Sequence, residues 1–195
     1  MNNNQFEQLI RQMQDRVNGN PANADAWRDL AQAKMMAGDI DGAEDDCIEC
    51  LRLNPQNVGG LILMGNLLTN CRKNDEAAIG YYEKAVAFGP KSPDAHCNLG
   101  TLYFKRGENI KALRQLRQAI ELKPDHVVAY VMLAHYYVSW ARVFPDKLSL
   151  LQLPFDDAYA AAKSMYEMKN RGNGDNSSKT TRGRVIHRIT YRLAA

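Results

Sequence analysis

Residues recur along this chain at a spacing of 34, and this period limits its possible folds more than any other feature. Pro21, Pro55, Pro90 and Pro124 are separated by 34, 35 and 34 residues. The same intervals separate three further columns: Trp27, Leu61, His96 and Tyr130; Leu30, Met64, Leu99 and Leu133; Ala31, Gly65, Gly100 and Ala134. One additional residue in the turn CRKND explains the single interval of 35. Repetition at a fixed period of this length predicts an array of stacked structural units.

Each unit has the pattern of two helices joined by a turn. Apolar and small residues recur at helical spacing from Trp27 to Ala37, which predicts a first helix, called helix A. Gly38, the polar CRKND run and Gly107 fall where helix A must end. A second apolar run predicts helix B, and the prolines stop it. The column of small residues is expected to let helices A and B approach closely, because large side chains there would push them apart.

Together these columns, from Ala24 to about Tyr137, resemble the tetratricopeptide repeat family. The third unit, PDAHCNLGTLYFKRGENIKALRQLRQAIELKPDH, resembles the family pattern almost throughout. The resemblance implies an all-α fold, a right-handed superhelical solenoid of antiparallel helix pairs. The amphipathic stretch Phe6–Val17 predicts a further helix ahead of the first unit. The predicted segments are a capping helix (1–20), three units within 21–126 (24–57, 58–92, 93–126), an irregular fourth unit (127–170) with an inserted loop (142–156), a flexible linker (171–178) and a basic segment (179–195).

Composition excludes several classes of protein. With 45% hydrophobic and 24% charged residues, the chain is typical of globular proteins and not of disordered or fibrous ones. No run of about 18 uncharged apolar residues occurs, so we expect no transmembrane helix and no membrane partner. The N-terminus lacks the pattern of a signal peptide, and four cysteines without one predict reduced thiols in a cytoplasmic protein.

A groove for a partner follows from the family resemblance, because tetratricopeptide arrays bind an extended peptide or a helix along the concave face lined by their A helices. Helical spacing selects the side chains of one face of each A helix. The candidate groove residues are Arg28, Gln32, Met35, Met36, Ile62, Asn66, Asn70, Cys97, Thr101, Phe104, Lys105, Val131 and His135. Asn66 and Asn70 can both donate to and accept from a peptide backbone, whereas Met35 and Phe104 offer apolar contact. A clamp for a terminal carboxylate is not expected, because Asp94 would repel it.

The cysteines, the histidine and the acidic run of the repeats are expected to have structural roles and not catalytic or metal-binding ones. Cys47 and Cys50 form a CxxC pair, but structural zinc needs a second such pair, so we expect buried thiols. His96 occupies a packing column. Glu44-Asp45-Asp46 is expected to be a solvated acidic face at a helix start. No phosphate-binding glycine loop, HExxH helix or GxSxG elbow occurs, so we expect no enzyme, no metal and no cofactor.

The net charge of +3 hides an asymmetry along the chain. The segment from Lys169 onward carries +6, and the residues before it carry −3. Five tail cations can contact nucleic-acid phosphate: Lys179, Arg182, Arg184, Arg188 and Arg192. Capping of the array's end and contact with an acidic partner or the chain's own acidic surface are alternatives, and the segment fits both a helix and a strand.

These features predict a non-catalytic adaptor that binds a segment of another protein in its groove. Two alternatives stay open. One is a scaffold that self-associates end to end, whose partner is a second copy. The other is a protein that associates with nucleic acid through the basic tail. Fold does not decide between them, since function resides in sites carried by the fold.

Overall fold

The computed structural model describes residues 3–143, with the side chains of 4–137 and Ser139. This part of the chain consists of α1 (Asn3–Gly19), α2 (Ala24–Ala37), α3 (Ile40–Leu53), α4 (Val58–Asn70), α5 (Asp75–Phe88), α6 (Pro93–Lys105), α7 (Asn109–Leu122) and α8 (Val127–Val143). The chain divides into two compact units, Met1–Leu122 and Lys123–Ala195. The predicted linker, the basic tail and the inserted loop beyond residue 143 lie outside the described residues.

The first compact unit, Met1–Leu122, is built from helix pairs. Helices α2 and α3, α4 and α5, and α6 and α7 pack together as pairs, and α1 packs on α2. Each pair also contacts the next one, through α3 on α4 and α5 on α6. The repeat of 34 residues therefore forms an all-α solenoid of antiparallel helix pairs, which confirms the predicted fold class. None of the helices within residues 3–143 combines the length and the apolar character needed to cross a membrane.

Close approach of helices A and B explains the small residues at one position of each unit. A Cβ atom on Gly65 would lie 2.5–2.9 Å from carbon atoms of the Tyr82 ring, which comes from α5. A Cβ on Gly100 would lie 2.9 Å from Cγ of Leu116 on α7. Both distances are shorter than a carbon–carbon contact allows. The prediction that small residues in this column let the paired helices meet is therefore confirmed at Gly65 and Gly100.

The turns between paired helices share one backbone conformation. Gly38, Lys73 and Gly107 have φ values of 89°, 57° and 76°, in the left-handed region that ends many helices. All three stand at the same position of their units once the additional residue of the second unit is counted. The additional residue of the second repeat therefore lies before its turn and leaves the geometry of the turn unchanged. A residue with left-handed backbone occurs in all three turns, and it is glycine in two of them and Lys73 in the third.

A column of N-terminal caps accompanies the proline column. The side chain of Asn23 accepts a hydrogen bond from the Asp25 backbone N–H at 2.9 Å, and that of Asn57 accepts from Gly60 at 2.8 Å. Ser92 stands at the same position of the third unit and caps α6. Each cap satisfies a backbone donor that the first turn of a helix leaves unpaired. This column was not predicted, although its spacing of 34 and 35 residues is visible in the sequence.

The aromatic column ties helix A to the loop before it. Trp27 Nε1 donates to the carbonyl oxygen of Pro21 at 2.8 Å, and His96 Nε2 lies 3.0 Å from the carbonyl oxygen of Pro90. His96 is buried, as predicted for a packing residue. Its ring is held in place by the repeated proline loop.

Candidate functional site

The predicted groove residues within Met1–Leu122 lie on three A helices, and the middle one, α4, contacts both α2 and α6. The side-chain stem of Arg28 on α2 covers Gly59 of α4, where a Cβ would lie 2.8 Å from Cδ of Arg28. On the other side of α4, Asn98 Nδ2 of α6 donates to Asn66 Oδ1 at 3.1 Å. The structure therefore brings α2, α4 and α6 together. We call the following residues the A-helix face: Arg28, Gln32, Met35, Met36, Ile62, Asn66, Asn70, Thr101, Phe104 and Lys105.

Arg28 is neutralised by carboxylates of its own helix. Its guanidinium forms ion pairs with Asp25 and, at 2.7 Å, with Asp29. Asp29 also binds Arg16 of α1 at 2.7 Å. Burial raises the pKa of Asp29, but the hydrogen bonds from Arg28 and Arg16 outweigh it and hold the pKa below its ordinary value. Asp29 therefore stays ionised at neutral pH, and Arg28 offers little net charge to a partner.

Lys105, the second cation of the A-helix face, is paired as well. Its Nζ lies 3.1 Å from Oδ2 of Asp75, in the first turn of α5. Helix α4, between Arg28 and Lys105, contains no charged residue. Within the part of the chain that the structure describes, the A-helix face thus has no cation without a neighbouring carboxylate. The pairing of both cations favours contacts between the A-helix face and uncharged groups.

Asn66 lies at the centre of the A-helix face and is held by two hydrogen bonds. Its Oδ1 accepts from the Tyr82 hydroxyl at 2.7 Å and from Asn98 Nδ2 at 3.1 Å. Burial raises the pKa of Tyr82 to about 12, so the hydroxyl keeps its proton and donates. With the oxygen fixed in this way, the amide nitrogen of Asn66 remains as a donor.

The remaining members of the A-helix face combine exposed polar groups with half-buried apolar ones. Gln32 and Asn70 are exposed, and Met36 is 48% exposed. Met35, Ile62 and Phe104 are half-buried and pack against the core beneath them. The face therefore presents amides beside an apolar surface. Amides can bind a peptide backbone, and methionine adapts to side chains of varied shape.

Two predicted groove residues of α6 have other contacts. Cys97 is 1% exposed, so its thiol is not available to a partner, which corrects its prediction as a groove residue. The reason is length, since Arg28 at the same position of the first unit reaches the surface and a cysteine does not. The Thr101 hydroxyl donates to the carbonyl oxygen of Cys97 at 2.9 Å, within its own helix. The predicted groove residues Val131 and His135 are exposed on α8, which belongs to the second compact unit, Lys123–Ala195.

The CxxC pair is buried and protonated. Cys47 Sγ donates to the carbonyl oxygen of Gly60 at 3.3 Å. Burial raises the pKa of Cys47 to about 12 and that of Cys50 to about 11. Since the thiolate is the form that binds metals and attacks electrophiles, these thiols are suited to packing between α3 and α4. Among the described residues, no group of three or more His, Cys, Asp or Glu could hold a metal.

Thiol labelling checks this interpretation. We expect Ellman's reagent at pH 8 to react first with Cys71, which is only half-buried. Cys47, Cys50 and Cys97 should react at least about 100-fold more slowly, because each tenfold loss of thiolate slows the reaction. All four cysteines should react at once in denaturant. Mass spectrometry of partly labelled protein identifies the sites, and rapid labelling of Cys47 in folded protein would contradict its burial.

The acidic run at the start of α3 does not form one solvated face, contrary to expectation. Asp46 is buried, and its Oδ2 lies 2.6 Å from Lys34 Nζ on α2. Burial raises the pKa of Asp46, and the ion pair with Lys34 opposes that rise. Glu44 instead binds Arg72, at 2.6 Å. Helical geometry explains the difference, because Asp46 lies on the same stripe as the buried Ala43 and Cys50.

Family models match two overlapping stretches of this chain. The model described as tetratricopeptide repeat matches residues 93–126, and the model described as TPR repeat matches residues 72–107. Both stretches lie in the helix pairs described above. Residues 72–126 therefore contain tetratricopeptide repeats, as the sequence columns predicted.

Curated relatives share part of the chain. Anaphase-promoting complex subunit 8 of Arabidopsis thaliana is 29% identical over 109 residues, which cover 55% of this chain and 18% of that protein. Protein O-mannosyl-transferase TMTC3 of Homo sapiens is 33% identical over 76 residues, which cover 39% of this chain and 8% of that protein. This chain thus spans less than a fifth of the length of either relative.

Solved structures share the fold over most of the chain. TTC0263, a thermophilic TPR protein of Thermus thermophilus, has a TM-score of 0.64 and 20% identity, covering 97% of this chain and 91% of that one. YrrB, described as a TPR protein with an unusual peptide-binding site, has a TM-score of 0.61 and 20% identity. That match covers 81% of this chain and 84% of YrrB. At this level of identity the likeness extends to the fold.

Proposed function

We propose that this protein is a non-catalytic adaptor, and that its A-helix face is a concave groove for an extended or helical segment of another protein. The observation that carries the proposal is the grouping of amides with exposed or half-buried apolar side chains on three neighbouring A helices. Gln32, Asn66 and Asn70 supply hydrogen-bonding groups for a backbone. Met36 supplies exposed apolar area beside them.

The comparisons support the same kind of partner. YrrB is described as having a peptide-binding site, and the Arabidopsis relative is a subunit of a complex. An affinity near micromolar, which corresponds to about −8 kcal/mol, is ordinary for a segment bound in a groove. Binding at that strength needs a few well-placed side chains and not a large charged surface.

A pair of matched variants tests the proposal in a pull-down from native lysate. Met36→Asp places a charge on the A-helix face, and Ile48→Asp makes the same change on α3, where Ile48 is 53% exposed. We expect Met36→Asp to reduce capture of a discrete protein partner at least tenfold, because a charge there must be desolvated on binding. Ile48→Asp should capture the partner as the unaltered chain does.

The basic tail is tested in the same experiment. A further variant of the whole chain has glutamine at Lys179, Arg182, Arg184, Arg188 and Arg192, and each sample is run with and without nuclease. Under the proposal, capture is unchanged by the glutamines and by nuclease. Capture that disappears with the tail charges or after nuclease would assign binding to the tail. Equal losses in Met36→Asp and Ile48→Asp would place the interface elsewhere on the repeats.

A further inference from the structure

The ion pairs of the A-helix face bear on the chemistry of its partner. Arg28 is shared between Asp25 and Asp29, and Lys105 is paired with Asp75. A carboxylate of a partner would have to displace one of these internal carboxylates before it could bind either cation. It would also have to lose water, with no unpaired positive charge to offset that loss.

The centre of the face has no charge at all. Helix α4 contributes Ile62, Asn66 and Asn70 to the A-helix face and contains no acidic or basic residue. Asn66 has its oxygen committed to Tyr82 and Asn98, so it faces a partner as a donor. A donor of this kind fits a backbone carbonyl, which every residue of a peptide provides.

We infer, on the basis of the proposed function, that the groove takes an internal, uncharged segment of its partner and not a chain end recognised through its carboxylate. Amide side chains bind the backbone of the segment, and Met35, Met36 and Phe104 contact its apolar side chains. Charge complementarity argues for this occupant, because both cations of the A-helix face are already paired with carboxylates of the chain itself. Specificity then comes from shape and from the penalty on charged competitors.

The ion pair between Lys105 and Asp75 supplies the sharpest test. Asp75→Asn removes the carboxylate and leaves Lys105 without its partner, so the A-helix face gains a free cation. Asp41→Asn is the matched control, since Asp41 also lies in the first turn of a helix B and binds a cation, Arg72. Arg72 keeps Glu44 in that control. Both variants change the net charge equally, but only the first one frees a groove cation.

The probes are peptides of twelve residues selected from a random library on the whole chain, then synthesised with acetylated and amidated ends. A second set carries one glutamate at each position in turn, and a third has a free terminal carboxylate. Fluorescence anisotropy measures each Kd at 50 and 500 mM NaCl.

We expect the selected peptides to be uncharged. Their Kd should change by less than about twofold between the two salt concentrations, and neither a glutamate nor a free terminal carboxylate should increase the affinity. In Asp75→Asn, at least one glutamate peptide should bind about fivefold more tightly, and Asp41→Asn should show no gain.

Each contrary outcome has a distinct meaning. Selected peptides rich in Asp or Glu, or a Kd that rises tenfold with salt, would overturn the inference while leaving a groove that binds peptides. Absence of any gain in Asp75→Asn would overturn it too, since the ion pair would then not explain the neutrality of the site. Peptides that bind Met36→Asp as well as the unaltered chain, or a library that yields no binder, would overturn the proposed function itself.

Discussion

Replacing Lys34 by methionine is expected to lower the free energy of unfolding by about 3 kcal/mol at pH 7, because it leaves the buried carboxylate of Asp46 without its partner. Lys34 Nζ lies 2.6 Å from Oδ2 of Asp46, and the two side chains are 19% and 7% exposed. Water therefore cannot replace the lost ammonium effectively. Urea denaturation, with the midpoint and slope compared between variants, measures the effect.

The loss should depend on pH in a defined direction. Burial raises the pKa of Asp46 in the folded protein, and Lys34 opposes that rise. Without Lys34 the folded state binds a proton more readily than the unfolded state, so stability increases as pH falls. The destabilisation by Lys34→Met is therefore fully present above the folded pKa and should shrink as the pH is lowered from 7 towards 4.

A double variant separates the lost ion pair from damaged packing. Lys34→Met with Asp46→Leu removes both charges, and we expect it to be within about 1 kcal/mol of the unaltered protein, since apolar groups often replace a buried ion pair without loss. A double variant as unstable as Lys34→Met alone would contradict the electrostatic explanation. So would a loss that is the same at pH 7 and pH 5.

Adding one methyl group at Gly65 is expected to destabilise the second helix pair. The new Cβ would lie 2.5 Å from Cε1 of Tyr82, whose ring is buried and whose hydroxyl is bound to Asn66. The ring cannot move aside without giving up that hydrogen bond. Overpacking of this kind costs about 1–3 kcal/mol, and the gain in helix propensity over glycine recovers at most about 1 kcal/mol of it.

Gly80 in the paired helix α5 provides the matched control for Gly65→Ala. A Cβ there meets nothing within 4 Å. Gly80→Ala should therefore stabilise the protein by about 0.5–1 kcal/mol through helix propensity alone. Thermal unfolding should show shifts of a few degrees with opposite signs. A stabilising Gly65→Ala would mean that α4 and α5 are not in the close contact described here.

The repeat columns allowed the fold to be predicted because packing fixes them. Gly65 and Gly100 are small where helices meet, and the spacing of 34 residues exposes that constraint in the sequence. The N-terminal caps Asn23 and Asn57 follow the same spacing and could have been predicted from it, because polar residues repeat as regularly as apolar ones. Predicting an N-terminal cap needs no tertiary information, since the cap and the backbone donor that it binds lie within one turn of the same helix.

The partners of charged residues were harder to predict. The adjacent residues Glu44 and Asp45 make Asp46 look like part of an acidic face, although its register with Ala43 and Cys50 places it on the buried stripe of α3. Its pairing with Lys34, across two helices, depends on how those helices pack. The pairing of Lys105 with Asp75 joins residues 30 positions apart, and helical spacing does not reveal it. The sequence therefore allows a prediction of which residues lie on the A-helix face, but not of which carboxylates pair with its cations.

Site-specific photocrosslinking tests the central claim most directly. A benzophenone side chain is placed at Asn70, which is exposed on the A-helix face, and separately at Gly80, where the surface of α5 is open. If the A-helix face is the binding groove, irradiation in lysate should give a discrete adduct from position 70, reduced by competition with a selected peptide, and none from position 80. Adducts from position 80 without any from position 70 would show that the partner binds another surface, and would contradict the account.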